Sequence, residues 1–203
     1  MSDVKDELCL FGSRIVRAGL SAGAGGNISA RDGNVIWMKP SGYSMDELVP
    51  ECLCGLELES GRQCAGDSAP TTEYDMHLAV YRARLDVNAV FHTHPPWLTG
   101  VISSGVEYRP LTTESIGYLG RVIHLPYEVP QSKMLANQVG SAVVDHETLL
   151  LPNHGIVVVG TTQREAFHRS LVAEDTAKSI VAASLVGKPQ YLSEQQIHEI
   201  VDG

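Results

Sequence analysis

The spacing of apolar and polar positions changes period several times along the chain, and each change marks an element. Over residues 4–18, Leu8, Phe11, Ile15 and Val16 fall on one stripe at helical spacing, and Gly19 is placed to stop that helix. Asp32-Gly33, between apolar runs at 28–31 and 35–38, predicts a β-hairpin. Lys39-Pro40-Ser41-Gly42 follows as a polar loop, and Ser44 begins a short capped helical start over 44–48. A strand is expected over 53–59, turning at Ser60-Gly61. Pro70-Thr71-Thr72-Glu73 opens the next helix, with Thr72 the expected N-cap, Glu73 in the first turn, and Met76, Ala79, Val80 and Ala83 its buried stripe.

Ala89-Val90-Phe91 reads as a buried strand that runs into His92-Thr93-His94, and Pro95-Pro96 suits the start of a helix over 95–104. Short strands are predicted at 109–113 and 121–125, and a helix at 132–144. Two further strands, 148–151 and 156–159, flank His154. A long helix over 163–185 ends at Gly187-Lys188-Pro189, and a last short helix covers 193–201. With no repeat, linker or low-complexity run, residues 1–203 are expected to form a single α/β domain.

Alternate side chains share one face of a strand, so His92 and His94 point the same way, at the polar end of an apolar run. His154, in Pro152-Asn153-His154-Gly155, stands at the end of another. Three neutral imidazoles with one open position make the ligand set of a catalytic zinc, whereas a structural zinc is normally closed by four ligands. Spacing alone leaves a second reading open, a chance pair on a strand with His154 an ordinary loop residue. Gly23-Ala24-Gly25-Gly26-Asn27-Ile28-Ser29 follows a helix and enters a strand, the reverse of a dinucleotide fingerprint. It reads as a tight turn or as a place where backbone approaches an anion, with Asn27 and Ser29 as donors. The N-terminus near Thr71 and Thr72 has the same two readings, simple capping or an anion site.

Composition narrows the partners. Charged residues make up 19% of the chain, and 24 acidic against 15 basic residues give a net charge of −9. This field argues against nucleic acid or anionic membrane as the main partner and obliges an anionic substrate to find a local pocket of donors. The N-terminal stretch has no secretory pattern, and no apolar run approaches the roughly 18 residues of a membrane span. Cys9, Cys52, Cys54 and Cys64 lack a CxxC pair, so reduced thiols in a cytoplasmic protein are expected.

Taken together, Gly26-Asn27-Ile28-Ser29, Lys39-Pro40-Ser41-Gly42, Pro70-Thr71-Thr72-Glu73, His92-Thr93-His94 and Asn153-His154-Gly155 resemble the class II aldolase/adducin family, in its order and at its separations. The resemblance implies a three-layer α/β/α sandwich around a mostly antiparallel sheet, and a homotetramer with active sites at subunit interfaces. It implies zinc, or another divalent transition metal, on His92, His94 and His154. It also implies a substrate-phosphate site at Asn27, Ser41, Gly42, Thr71 and Thr72, with Glu73 as acid/base. The activity so implied is retro-aldol cleavage of a ketose 1-phosphate to dihydroxyacetone phosphate and a small aldehyde, through an enediolate that the metal stabilises. His77, four residues beyond Glu73, is placed to orient it.

Sister activities remain open. Glu73 favours the aldolases over the epimerase branch, which has Asp there. Glu114, about twenty residues beyond His-x-His, stands where the dehydratase branch keeps its working acid and is a second catalytic candidate. A methylthioribulose-phosphate dehydratase, a pentulose-phosphate 4-epimerase, an oxo-tetronate-phosphate decarboxylase and a non-catalytic adducin-like assembly module are the alternatives. Thr112-Thr113-Glu114 replaces the region where fuculose-phosphate aldolase carries a catalytic tyrosine. A small aldehyde, or a deoxy or thiomethyl pentulose phosphate, therefore fits at least as well as fuculose phosphate.

Overall fold

The computed structural model describes residues 3–202; Met1, Ser2 and Gly203, including the start of the N-terminal stretch read above, lie outside the described residues. In chain order the strands are β1 (Asn27–Asp32), β2 (Val35–Met38), β3 (Cys54–Glu57), β4 (Gln63–Ala65), β5 (Ala89–Thr93), β6 (Val122–His124), β7 (Thr148–Leu151) and β8 (Gly155–Gly160). The helices are α1 (Val4–Arg17), α2 (Tyr74–Ala83), α3 (Pro96–Ser103), α4 (Thr113–Leu119), α5 (Lys133–Ala142), α6 (Gln163–Val186) and α7 (Glu194–Asp202). The strands form one sheet in the order β4-β3-β2-β1-β5-β8-β7-β6. Every pairing is antiparallel except β6 with β7.

Period-two alternation splits the apolar side chains between two cores. Along β5 and β8, Ala89, Phe91, Ile156 and Val158 face one core, which also takes Leu8, Phe11 and Ile15 of α1, Leu98 of α3, and Ala173 and Ile180 of α6. Val90, Val157 and Val159 face the other, packed on Met76 and Val80 of α2 and Leu135 and Val139 of α5. The sheet is thus covered on both faces, giving the expected α/β/α sandwich, and β5, β7 and β8 are buried along their whole length. Among the described residues no helix is long and apolar enough to cross a membrane.

Several expected boundaries move. The hairpin turn is Gly33-Asn34, because Asp32 still pairs with Val35 and Gly33 takes the positive φ of 59° that the first turn position needs. The strand expected over 53–59 shortens to β3, and after the turn at Ser60-Gly61 the short β4, which was not expected, pairs back on it. No strand forms over 109–113. Pro110 leaves that segment without a ladder donor, and Thr112 instead caps α4, its side chain accepting from Ser115 N–H at 3.2 Å. Thr72 does not cap α2; the N-cap is Glu73, which therefore precedes the first turn.

At the β7–β8 turn the chain comes close to β5. A Cβ placed on Gly155 would lie 2.7 Å from His94 Cδ2 and closer still to the Thr93 carbonyl oxygen. The strand can approach only where no side chain intervenes. Gly155→Ala is therefore expected to cost about 1–3 kcal/mol of overpacking. The urea midpoint of the purified variant measures this, and an unchanged midpoint would mean that the two strands separate freely.

Candidate metal centre

His92 has the parity of Val90 and so looks toward the α2 side of the sheet, with Asn27 as its cross-strand neighbour on β1. His94 lies just past the strand end, its N–H donating to Leu20 O at 3.0 Å. His154 reaches the same place from the tight β7–β8 turn. That turn closes through His154 N–H to Leu151 O at 3.0 Å, with Asn153 at a positive φ of 59° that asparagine tolerates. The three rings converge. The Nε2 of His92 lies 2.9 Å from that of His94 and 3.2 Å from that of His154, so the residues most distant in sequence meet at one point.

The protonation of the cluster follows from its surroundings. His92 is fully buried and donates its Nδ1–H to Ile156 O at 2.9 Å, so its Nε2 carries a lone pair into the cluster. Burial, followed by the nearby His94 and His154, holds its pKa well below the usual value. Burial likewise lowers His94 and His154, opposed at each by Glu73. Neutral imidazoles aimed at one point form a donor set for a divalent cation, and the Nδ1–H to carbonyl bond fixes the ligating tautomer of His92. Glu73 completes the site. Its Oε2 lies 3.4 Å from His92 Nε2 and accepts from Asn27 Nδ2–H at 2.8 Å; its Oε1 lies 3.6 Å from His154 Nε2 and is buried with no hydrogen-bond partner. A buried carboxylate oxygen without a partner beside three lone pairs is what a cation or a reacting proton would satisfy. The residues present fit a metal.

His94 and His154 border a cleft of about 270 Å³ that Asn27, Ser41, Gly42, Thr71, Thr72 and Glu73 also line. The loops after β2 and before α2 are clamped together by a β-bridge, Ser41 N–H to Ala69 O at 2.9 Å and Thr71 N–H to Lys39 O at 3.1 Å. Five separate sequence segments thus meet in one place. Glu114 does not join them. It lies on α4 in a larger cavity of about 450 Å³ against α6, with His168 and Lys178, away from the histidines. His77 does not touch Glu73 as its spacing suggested; its Nε2 bonds Asn27 Oδ1 instead.

Lys39 was not among the residues anticipated. It is 2% exposed, lines the cleft, and donates from Nζ to Ala24 O at 2.9 Å. Burial lowers its pKa, opposed by Glu73. A lysine is almost never fully buried unless paired, and this one places a local positive charge in the cleft of a chain of net charge −9. Its place at the end of an apolar strand, directly before Pro-Ser-Gly, is the signal that could have found it. Pro130 and Gln131, in the loop before α5, form another wall of the cleft; Gln131 holds a positive φ of 66°.

Residues 6–181 match the class II aldolase and adducin N-terminal domain family. The chain belongs to that family. A 5-deoxy-D-ribulose 1-phosphate aldolase of Bacillus thuringiensis serovar kurstaki is 32% identical over 199 residues, covering 97% of this chain and 92% of that protein. The 3-oxo-tetronate 4-phosphate decarboxylase of Escherichia coli K12 is 32% identical over 206 residues, covering 97% and 94%. A solved L-fuculose 1-phosphate aldolase superposes with a TM-score of 0.91 at 27% identity, covering 100% of this chain and 96% of that one. Class II aldolases are metal-dependent, in keeping with the histidine cluster of this member.

Two measurements test the centre. His94→Ala is expected to lose bound metal, read by elemental analysis of the purified protein; full occupancy would remove the trio as its ligands. A pH titration of stability tests the buried imidazoles. Burial first, then His92, lowers His77 to about 3 from an ordinary 6.5. Between those values the unfolded chain binds a proton that the folded one does not, so stability rises with pH across that window and levels off above it. His77→Gln should flatten the acid limb of the urea midpoint against pH, and an unchanged limb would place the titration elsewhere.

Proposed function

We propose that this protein is a zinc-dependent class II aldolase that cleaves a short ketose 1-phosphate to dihydroxyacetone phosphate and a small aldehyde. One observation carries the reading. Glu73 Oε1 is buried and unpartnered next to the histidine cluster, in a cleft whose opposite wall bears Lys39 and the hydroxyls of Ser41, Thr71 and Thr72. The amides of Ser41 and Thr71 are engaged by the β-bridge, and those of Glu73 and Tyr74 turn back on Thr71, which leaves the Ser41, Thr71 and Thr72 O–H groups and Lys39 Nζ as donors to the phosphate. Anchoring that end holds the carbon skeleton still, so positioning lowers much of the barrier.

Breaking C3–C4 leaves an electron pair on C3, while the C4 hydroxyl gives its proton to the Glu73 carboxylate as the aldehyde forms. His92, His94 and His154 would hold a divalent cation, which when bound would supply Lewis-acid stabilisation of developing negative charge. Glu73 delivers the proton that C3 requires and removes it in the synthetic direction. Asn27 donates to the other carboxylate oxygen and keeps Oε1 directed at the cleft. The similarity to a 5-deoxyribulose-phosphate aldolase over nearly the whole of both chains supports a short, deoxygenated pentulose phosphate. We assign subunit assembly as a homotetramer, supported by exposed Tyr127, Val129 and Met134 flanking the Pro130-Gln131 rim of the cleft.

The equal identity to a 3-oxo-tetronate 4-phosphate decarboxylase favours that activity as a second reading. Loss of carbon dioxide also leaves an electron pair on carbon that must be protonated, so the same carboxylate serves both.

Metal-loaded protein incubated with 5-deoxyribulose, fuculose, rhamnulose and methylthioribulose 1-phosphates is expected to release dihydroxyacetone phosphate, stop on chelation and recover with zinc. Carbon dioxide from an oxo-tetronate phosphate in place of aldol cleavage would move the protein to the second reading, and silence on every substrate would favour an assembly module. Glu73→Gln should retain metal and lose about 10²–10⁴-fold in kcat. Lys39→Met should raise KM about tenfold or more with kcat little changed, as befits a charged contact made in ground and transition state alike. Glu114→Gln should keep aldol turnover, and a loss matching that of Glu73→Gln would point to dehydration instead.

A further inference from the structure

Behind Glu73, two periodicities run in step. On α2, Glu73, His77 and Tyr81 recur every four residues, about 6 Å apart along the axis. On β1, Asn27 and Ser29 recur every two, about 6.8 Å apart, on the face turned to α2. The side chains interleave into a ladder: Glu73 Oε2 to Asn27 Nδ2 at 2.8 Å, Asn27 Oδ1 to His77 Nε2, His77 Nδ1 to Ser29 Oγ at 2.6 Å, and Ser29 Oγ to Tyr81 OH at 2.9 Å. Asn27 is 4% exposed and Ser29, His77 and Tyr81 are fully buried.

We propose that Tyr81, Ser29, His77 and Asn27 form a hydrogen-bond relay of a single polarity, whose task is to aim an Asn27 N–H at Glu73 and hold that carboxylate in its working position. The inference rests on Glu73 being the acid/base group assigned above.

The polarity follows from counting protons. Asn27 donates its Nδ2–H to Glu73 Oε2, which turns its carbonyl oxygen toward His77. His77 therefore donates from Nε2. Burial keeps the ring neutral, so Nδ1 is bare and must accept from the Ser29 hydroxyl. With its only proton used, Ser29 accepts from Tyr81, whose phenol burial keeps protonated. Each proton of the ladder lies between two named atoms, and all of them point toward Glu73. Fully satisfied buried networks select one arrangement, because every alternative leaves a polar group unpaired in a dry interior. His77, Ser29 and Tyr81 are positioning residues here, since none of them touches the cleft.

Ser29→Ala cuts the relay in the middle. His77 is then free to carry its proton on Nδ1, and Asn27 to rotate its carbonyl against the carboxylate. The expected result is a fall in kcat of about 10–100-fold, as a displaced catalytic group produces, with KM and metal content near those of the unaltered enzyme. Tyr81→Phe removes only the terminal donor and should lose less, and Ser29→Thr, which keeps a hydroxyl, should restore turnover. An unchanged kcat, or a rise in KM alone, would overturn the proposal. The relay is also read without turnover. In ¹⁵N-histidine NMR of the metal-loaded protein, with His77 assigned by its absence in His77→Gln, the ring should appear as the Nε2–H tautomer with a bare Nδ1. An Nδ1–H tautomer would overturn the relay even in a fully active enzyme. Retained turnover in Glu73→Gln would instead remove the acid/base assignment, whatever tautomer His77 shows.

Discussion

Lone pairs on neighbouring nitrogens repel, and in this protein three imidazoles are held with their Nε2 atoms at or near hydrogen-bond distance. Much of the site's design answers that constraint. The wholly buried strand β5 pins His92 by its Nδ1–H to Ile156 O, and glycine at position 155 lets the neighbouring turn close on His94. Burial keeps the rings neutral, which is the form that binds a cation and the form that would be least comfortable without one.

The carboxylate beside the cluster is governed by the same low-dielectric interior. Glu73 stands at the N-cap of α2 with one oxygen tied to Asn27 and the other facing the cleft. Lys39 brings a buried positive charge to a chain that is otherwise strongly acidic. The positive charge that the cleft offers is therefore local, set by Lys39 against an overall field of opposite sign. The cleft brings Glu73 and Lys39 together with His94 and His154.

Much of the fold was legible because burial imposes period on sequence. Strands β5, β7 and β8 are continuous apolar runs, α1 carries a clean stripe, and each was placed to within a residue or two. The segment over 109–113 misled because a few residues with one apolar position satisfy a strand pattern by accident; capping by Thr112 decided for helix α4. The N-terminus of α2 falls one residue later than expected, at Glu73, whose side chain makes no capping bond and turns to Asn27 instead, so the backbone path rather than cap chemistry sets it.

The sequence by itself determined that His92 and His94 share a face, since alternation on a strand is a covalent consequence of the backbone. It also determined the order of the five motifs and, through them, the family. Tertiary structure alone decided which groups meet. His154 stands 62 positions from His92 and reaches it only because β8 lies beside β5 in the sheet. Glu114 and Glu73 are both carboxylates near the start of a helix, yet one faces the histidines and the other a separate cavity. His77 was expected on Glu73 and bonds Asn27, because β1 inserts its own side chains between successive turns of α2. Local spacing fixes direction along one element; contact between elements depends on how sheet and helices pack, which no short stretch of sequence encodes.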